Sequence, residues 1–145
     1  RAGFIGVHLG HRRGHFSRAV MEGVAFAAND IIHALAQSGG EVQRIKLIGG
    51  AAKSELWSRI VSDVTDLPVI RSVQADAACT GAAMIAGVGA GIFAHYEIAQ
   101  ERLIAISETI LPSPTAREIY KRAQENYHMG FRHLTAFYQE RNSLL

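Results

Sequence analysis

Cysteine is almost absent from this sequence. Cys79 stands alone among 145 residues, which excludes an internal disulfide and is compatible with a reducing compartment. A block of one charge sign is also lacking. Lys and Arg number 15 against 13 Asp and Glu, a formal net charge of +2. The densest basic run, His11-Arg12-Arg13-Gly14-His15, is too short for a nucleic-acid arm and reads as a solvated loop. No repeat, low-complexity tract or linker divides the chain, so residues 1–145 are expected to form one domain, burying roughly two-thirds of the unfolded surface. No secretory signal is visible, and a start at Arg1 suggests a piece of something longer. Only Ala77 to Ala94 imitates a membrane span, with eighteen residues free of formal charge. Its residues are mostly Ala and Gly, so the expectation is a soluble, cytoplasmic protein in which this helix is buried between sheet and neighbours.

What is present alternates. Gly3 to Leu9 reads as a short strand. Ser17 would cap a helix whose apolar stripe is Val20, Val24, Ile31 and Leu35, ended by Gly39-Gly40. Arg44 to Ile48 alternates as a strand and runs into Gly49-Gly50. Ser54 would cap a second helix with Leu56, Ile60, Val61 and Val64 on one face, closed by Leu67-Pro68. Val69 to Val73 is a third strand, followed by an Ala/Gly-rich helix over 80–93. The region 98–111 is mixed. A long helix, about 114–141, starts near Pro114 with Thr115-Ala116-Arg117-Glu118 as its capping box and a packing face of Tyr120, Tyr127, Phe131, Leu134 and Tyr138. The succession predicts an α/β domain with a mostly parallel sheet flanked by helices.

The chemistry-bearing feature is the strand that passes into Gly49-Gly50-Ala51-Ala52-Lys53-Ser54 and then a helix. Ligands of open α/β sheets sit beyond the carboxyl ends of strands, and a helix start offers free N–H groups to an anion. The Walker A spacing is absent. Gly87-x-Gly89-x-Gly91 lies in or after a helix and fails as a dinucleotide fingerprint. His11 and His15 lack a third metal ligand and read as loop histidines; Cys79 reads as a small buried thiol. Gly81, in a second turn opened by Asp76, reads as a packing position. Asp30, Asp63, Asp66 and Asp76 lie outside any glycine-rich catalytic loop, so no general base is identified.

Three motifs in order carry a resemblance. The run Arg18-Ala19-Val20-Met21-Glu22-Gly23-Val24-Ala25-Phe26, the run Gly49-Gly50-Ala51-Ala52-Lys53-Ser54 with Trp57 and Leu67-Pro68-Val69, and Ala77-Ala78-Cys79-Thr80-Gly81-Ala82-Ala83 with Gly87 resemble the FGGY carbohydrate kinases, most closely the xylulose kinase branch. Pro112 and Tyr120 also have family-like counterparts. The resemblance implies a ribonuclease-H-like, actin-like ATPase domain lacking its amino-terminal part. It implies transfer of the ATP γ-phosphate, with Mg2+, to a sugar hydroxyl, a ketopentose such as xylulose. Gly49, Gly50, Ala51 and Ser54 would line the nucleotide site, with Ala51 standing where the family has a third glycine. Lys53 would face solvent and Trp57 would pack under the loop. ATP or ADP and the sugar are the implied partners, with neither nucleic acid nor membrane, and a homodimer is left open. The general base and most sugar contacts would precede Arg1, so that this chain alone would be inactive. A non-catalytic nucleotide-binding or regulatory module and an assembly domain, its Tyr-rich last helix as partner surface, are the alternatives.

Overall fold

The computed structural model describes residues 3–72, 76–104 and 106–143. Its first helix, α1 (Arg13–Gln37), begins four residues before the expected Ser17 cap, because the His15 ring accepts the backbone N–H of Arg12 at 3.0 Å and closes the first turn there. The basic run is therefore the start of a helix as much as a loop. At the other end Gly39, at φ 84°, and Gly40 return their N–H groups to the Ala36 and Leu35 carbonyls, the left-handed cap expected of the glycine pair. Residues 3–9 form no strand. Gly6 at φ 76° turns the chain out of the extended region, and the segment lies by the last helix, with Ile5 near Gly130 and Gly3 near the Tyr138 hydroxyl.

Strand β1 (Ile45–Leu47) leads into a 3-10 helix, Gly49–Lys53, and then α2 (Glu55–Thr65). The cap is as expected: Ser54 Oγ accepts the Trp57 N–H at 3.2 Å. Asp66, left-handed at φ 55°, ends the helix before Leu67-Pro68. Strand β2 (Val69–Ser72) follows; Val73, the expected end of that strand, lies outside the described residues. Next come α3 (Ala77–Gly89), α4 (Tyr96–Leu103), β3 (Ile106–Ile110) and α5 (Pro114–Ser143). The helix and strand that fill the mixed region 98–111 were not separable by pattern.

Among the described strands the order is β1-β2-β3. β1 and β2 pair in parallel, whereas β2 and β3 pair antiparallel. The described sheet is thus mixed, not mostly parallel.

The core lies where α1, α2 and α5 meet the sheet: Ala25, Phe26, Ile60, Val61, Val64, Val69 and Tyr120. Burying one such branched side chain contributes about 1.5–3 kcal/mol. The expected stripe on α1 is not the buried one. Val20, Val24, Ile31 and Leu35 are all half-exposed or more, whereas Met21, Ala25, Phe26 and Asn29 face inward. At 100° per residue the two faces lie roughly 135° apart. Small Ala25 and a polar network fix the choice: Asn29 Nδ2 donates to Gln124 Oε1 at 2.6 Å, and Arg18 and Glu22 both reach the Tyr120 hydroxyl of α5. By length and composition α1 could also cross a bilayer, a property that the core helices of globular proteins share.

Leu56 is half-exposed, so the α2 face rests on Ile60, Val61 and Val64. On α5 the stripe divides: Tyr120 and Tyr127 pack against Phe26, with ring centroids 6.2 and 5.5 Å away, while Phe131 is 66% exposed. The Thr115 box does not form. The helix starts at Pro114, as expected, so that Thr115 lies inside it, and the Thr115 hydroxyl pairs with that of Ser113 at 2.9 Å. α3 is not buried between sheet and neighbours: it packs chiefly on α4, and Ala82, Ala83, Ile85 and Ala86 are exposed.

Candidate functional site

The carboxyl end of β1 delivers the chain to Gly49, whose φ of 65° is a conformation that side chains with a Cβ seldom adopt. Around Gly49 and Gly50 nothing approaches within 4 Å of where a Cβ would stand, so the turn offers bare backbone to open space. Ala51 is exposed and Ala52 is buried, which makes Ala52 the foot of the turn. Lys53 is exposed, as expected, and Trp57 is half-buried against the core. Ser54 is half-buried; its hydroxyl oxygen is engaged as the cap of α2, leaving its O–H free to donate outward. Gly49, Gly50 and Ala51 therefore share one turn, and Ser54 stands at its exit as the cap of α2. An open hollow of about 330 Å³ is lined by Glu55, Leu56 and Arg59, in the first two turns of the helix that Ser54 caps.

Two residues that hold this turn were not legible as site residues. Arg71 Nε donates to the Ala52 carbonyl at 2.7 Å, and Arg71 Nη1 donates to Glu108 Oε2 at 2.7 Å. A charged residue inside a strand between buried Val69 and Ser72 was the available signal.

The second turn differs from expectation. Asp76 caps α3, its Oδ1 accepting the Cys79 N–H at 3.0 Å, and that bond holds the Asp76 carboxyl below its ordinary pKa. Cys79 is exposed, not a buried thiol. Gly81 has nothing within 4 Å of its absent Cβ, so it is not a packing position. Gly87 is: the Phe93 ring would lie 2.5 Å from a Cβ there. Gly87 and Gly89 fall within α3, which disposes of the dinucleotide pattern.

Each aspartate has a structural partner. Asp30 accepts from Gln124 and pairs with His128, Asp63 accepts from the Ser113 N–H, Asp66 pairs with Arg117, and Asp76 caps α3. His11 and His15 stand beside a third ring, His8, with centroids 3.8 Å (His8–His11) and 5.3 Å (His11–His15) apart. All three Nδ1 atoms accept backbone N–H groups, which occupies the lone pairs a metal would need at those nitrogens. Among the described residues no group of three or more His, Cys, Asp or Glu could hold a metal ion. Alongside lies an apolar hollow of about 210 Å³ whose walls include Phe4, Phe16 and Ala19.

Helices laid on a small mixed sheet, with a glycine turn leaving the end of its parallel strand, form part of a domain that matches solved sugar kinases, whose fold is that of the actin-like ATPases. The crystal structure of xylulose kinase from Rhodospirillum rubrum matches with a TM-score of 0.84 and 30% identity, covering 94% of this chain and 28% of that one. Among curated proteins, L-xylulose/3-keto-L-gulonate kinase of Escherichia coli K12 is 30% identical over 126 residues, 87% of this chain and 25% of its own length. Xylulose kinase of Bacillus subtilis 168 is 31% identical over 133 residues, 92% of this chain and 27% of its own length. Residues 1–90 match the family model for the FGGY family of carbohydrate kinases, C-terminal domain, and the chain belongs to that family. It spans about a quarter of the length of the curated relatives it matches.

Proposed function

We propose that this chain is the ATP-binding part of a carbohydrate kinase that transfers the γ-phosphate of ATP to a sugar hydroxyl, a ketopentose such as xylulose, in the cytoplasm. The observation that carries the reading is the Gly49–Lys53 turn: bare backbone, a left-handed Gly49 and open space above it, at the end of β1 and the start of α2. Gly49, Gly50 and Ala51 would lie against the nucleotide and the Ser54 hydroxyl near the adenosine. Phosphoryl transfer draws its acceleration from positioning and charge stabilisation on two sides of a cleft. On this reading these residues supply one side, while the general base and most sugar contacts come from other parts of the kinase. Mg2+ would travel on the nucleotide phosphates, since the described residues offer no carboxylate cluster for it. The engagement of all four aspartates in caps and ion pairs favours a base from elsewhere.

Calorimetry of the folded chain with Mg-ATP and Mg-ADP tests this. Saturable heat with both, lost in Gly49→Val, is expected; a folded sample giving no heat with either overturns the nucleotide assignment. Turnover of xylulose by the chain alone would refute the placement of the base outside these residues.

A further inference from the structure

The side chains of the turn that the proposed function depends on give it little anchorage. Gly49, Gly50, Ala51 and Ala52 carry no side chain longer than a methyl, Lys53 is exposed, and only Ala52 is buried. As a 3-10 helix the turn is closed by its own backbone bonds, which end in the cap bond from Ser54 N–H to the Ala51 carbonyl at 3.3 Å. Those bonds fix the shape of the turn but not its place over the sheet, and the Arg71 side chain ties it there directly.

Arg71 sits on the central strand, in register with Leu47 of β1 on one side and Glu108 of β3 on the other. Leu47 is the last residue of the strand that enters the turn. The ladder between β2 and β3 breaks register between Arg71 and Ser72. The Arg71 side chain is only 17% exposed. It donates through Nε to the carbonyl of the foot residue Ala52 and through Nη1 to Glu108, both at 2.7 Å, which are short charge-assisted bonds. A guanidinium presents its donors in a rigid plane, so fixing Nη1 on Glu108 fixes the direction in which Nε points. The chain of hold runs from β3 through a planar cation to the backbone of the turn.

We propose that Arg71 is a positioning residue for nucleotide binding, setting the height of the Gly49–Lys53 turn above the sheet, with Glu108 setting Arg71. The proposal rests on reading that turn as the nucleotide contact. Bare backbone binds tightly only when its amides and carbonyls are already in place, so loosening the turn costs affinity without removing any group that touches the ligand.

The test uses the full chain and two separate readouts. Hydrogen exchange of the amides of residues 49–54, without nucleotide, reports the hold itself. Calorimetry with Mg-ADP reports its consequence. Arg71→Lys keeps the charge and the aliphatic stem but places one ammonium where two acceptors must be bridged. It should speed exchange across the turn and weaken Mg-ADP about tenfold, a change of roughly 1.4 kcal/mol. Glu108→Gln, on a half-exposed side chain and still able to accept, should give a smaller change in the same direction. Ile60→Val, a core change away from the turn, sets the baseline for loss of stability alone. Unchanged exchange in Arg71→Lys overturns the proposal. So does faster exchange with unchanged Mg-ADP affinity, or an equal loss of affinity in Ile60→Val. Wild-type chain that gives no heat with Mg-ADP defeats the nucleotide reading and with it the claim about affinity, while the exchange data still decide whether Arg71 holds the turn.

Discussion

The carboxylate of Asp63, inside α2, accepts the backbone N–H of Ser113 at 2.8 Å across fifty positions of sequence. Ser113 is the residue before Pro114 opens α5, so Asp63 does from a neighbouring helix what the glutamate of a capping box does from within one. Asp63 is only 8% exposed. Asp63→Ala should cost about 1–3 kcal/mol of stability, the worth of a hydrogen bond to a largely buried charged group. Asp63→Asn, which still accepts, should cost less. Urea unfolding midpoints measure both, and equal midpoints for the alanine variant and the wild type would defeat this account.

Gly49 and Gly50 are adjacent, equally uncrowded and conformationally different. Only Gly49 holds a positive φ, 65°. Gly49→Ala should therefore lose roughly 1–2 kcal/mol to left-handed strain. Gly50→Ala should stay within about 0.5 kcal/mol of wild type, as surface changes do. Thermal melts of the two variants side by side separate strain from crowding.

A third expectation concerns pH. Desolvation, then repulsion from His8 and His15, hold His11 below its ordinary pKa of 6.5. The unfolded chain then binds a proton more readily than the folded one, so stability rises with pH. The contribution is complete above pH 6.5 and is lost as pH falls from there through the lower, folded value. Protonation would also cost the His8 N–H its acceptor on His11 Nδ1. Melting temperatures across pH 5 to 7.5 should slope less for His11→Gln than for wild type; parallel slopes would contradict the assignment.

Gly87 is crowded by a ring. Phe93 carbons would lie 2.5 and 2.6 Å from a Cβ at this position, while the Ile92 and Phe93 N–H groups both bond the Gly87 carbonyl. Gly87→Ala forces the ring aside and should cost about 1–3 kcal/mol, as overpacking does. Amide exchange at residues 91–93 should rise first.

Local signals were the legible ones. Ser54 caps α2, Gly39-Gly40 ends α1, and β1 runs into the glycine turn, each set by one or two residues whose chemistry acts within a few positions. The face of α1 was misread because its β-branched stripe looks more like a core than Met21, Ala25, Phe26 and Asn29 do. Partners on α5, a hundred residues away, decided otherwise. The antiparallel β3 escaped notice because its pairing with β2 is fixed by the ladder and not by any alternation readable in the region 98–111. Arg71 was missed for the same reason: the atoms it touches, on Ala52 and Glu108, are near only once the strands are in register. Glycine, by contrast, advertised itself at residue 49 because a backbone conformation demanded it.

The excursion between β2 and β3 has a dynamic corollary. α3 and α4 rest mainly on each other, while the strands that bracket them are paired residue to residue. Loop-closure entropy grows only logarithmically with length, so the ladder tolerates a long detour at little cost. Such a hairpin of helices is a cooperative unit of its own, able to melt and re-form while the bracket stays shut. Heat or mild denaturant should therefore loosen α3 and α4 together and ahead of the three-helix core, giving the chain two tiers of rigidity in place of one.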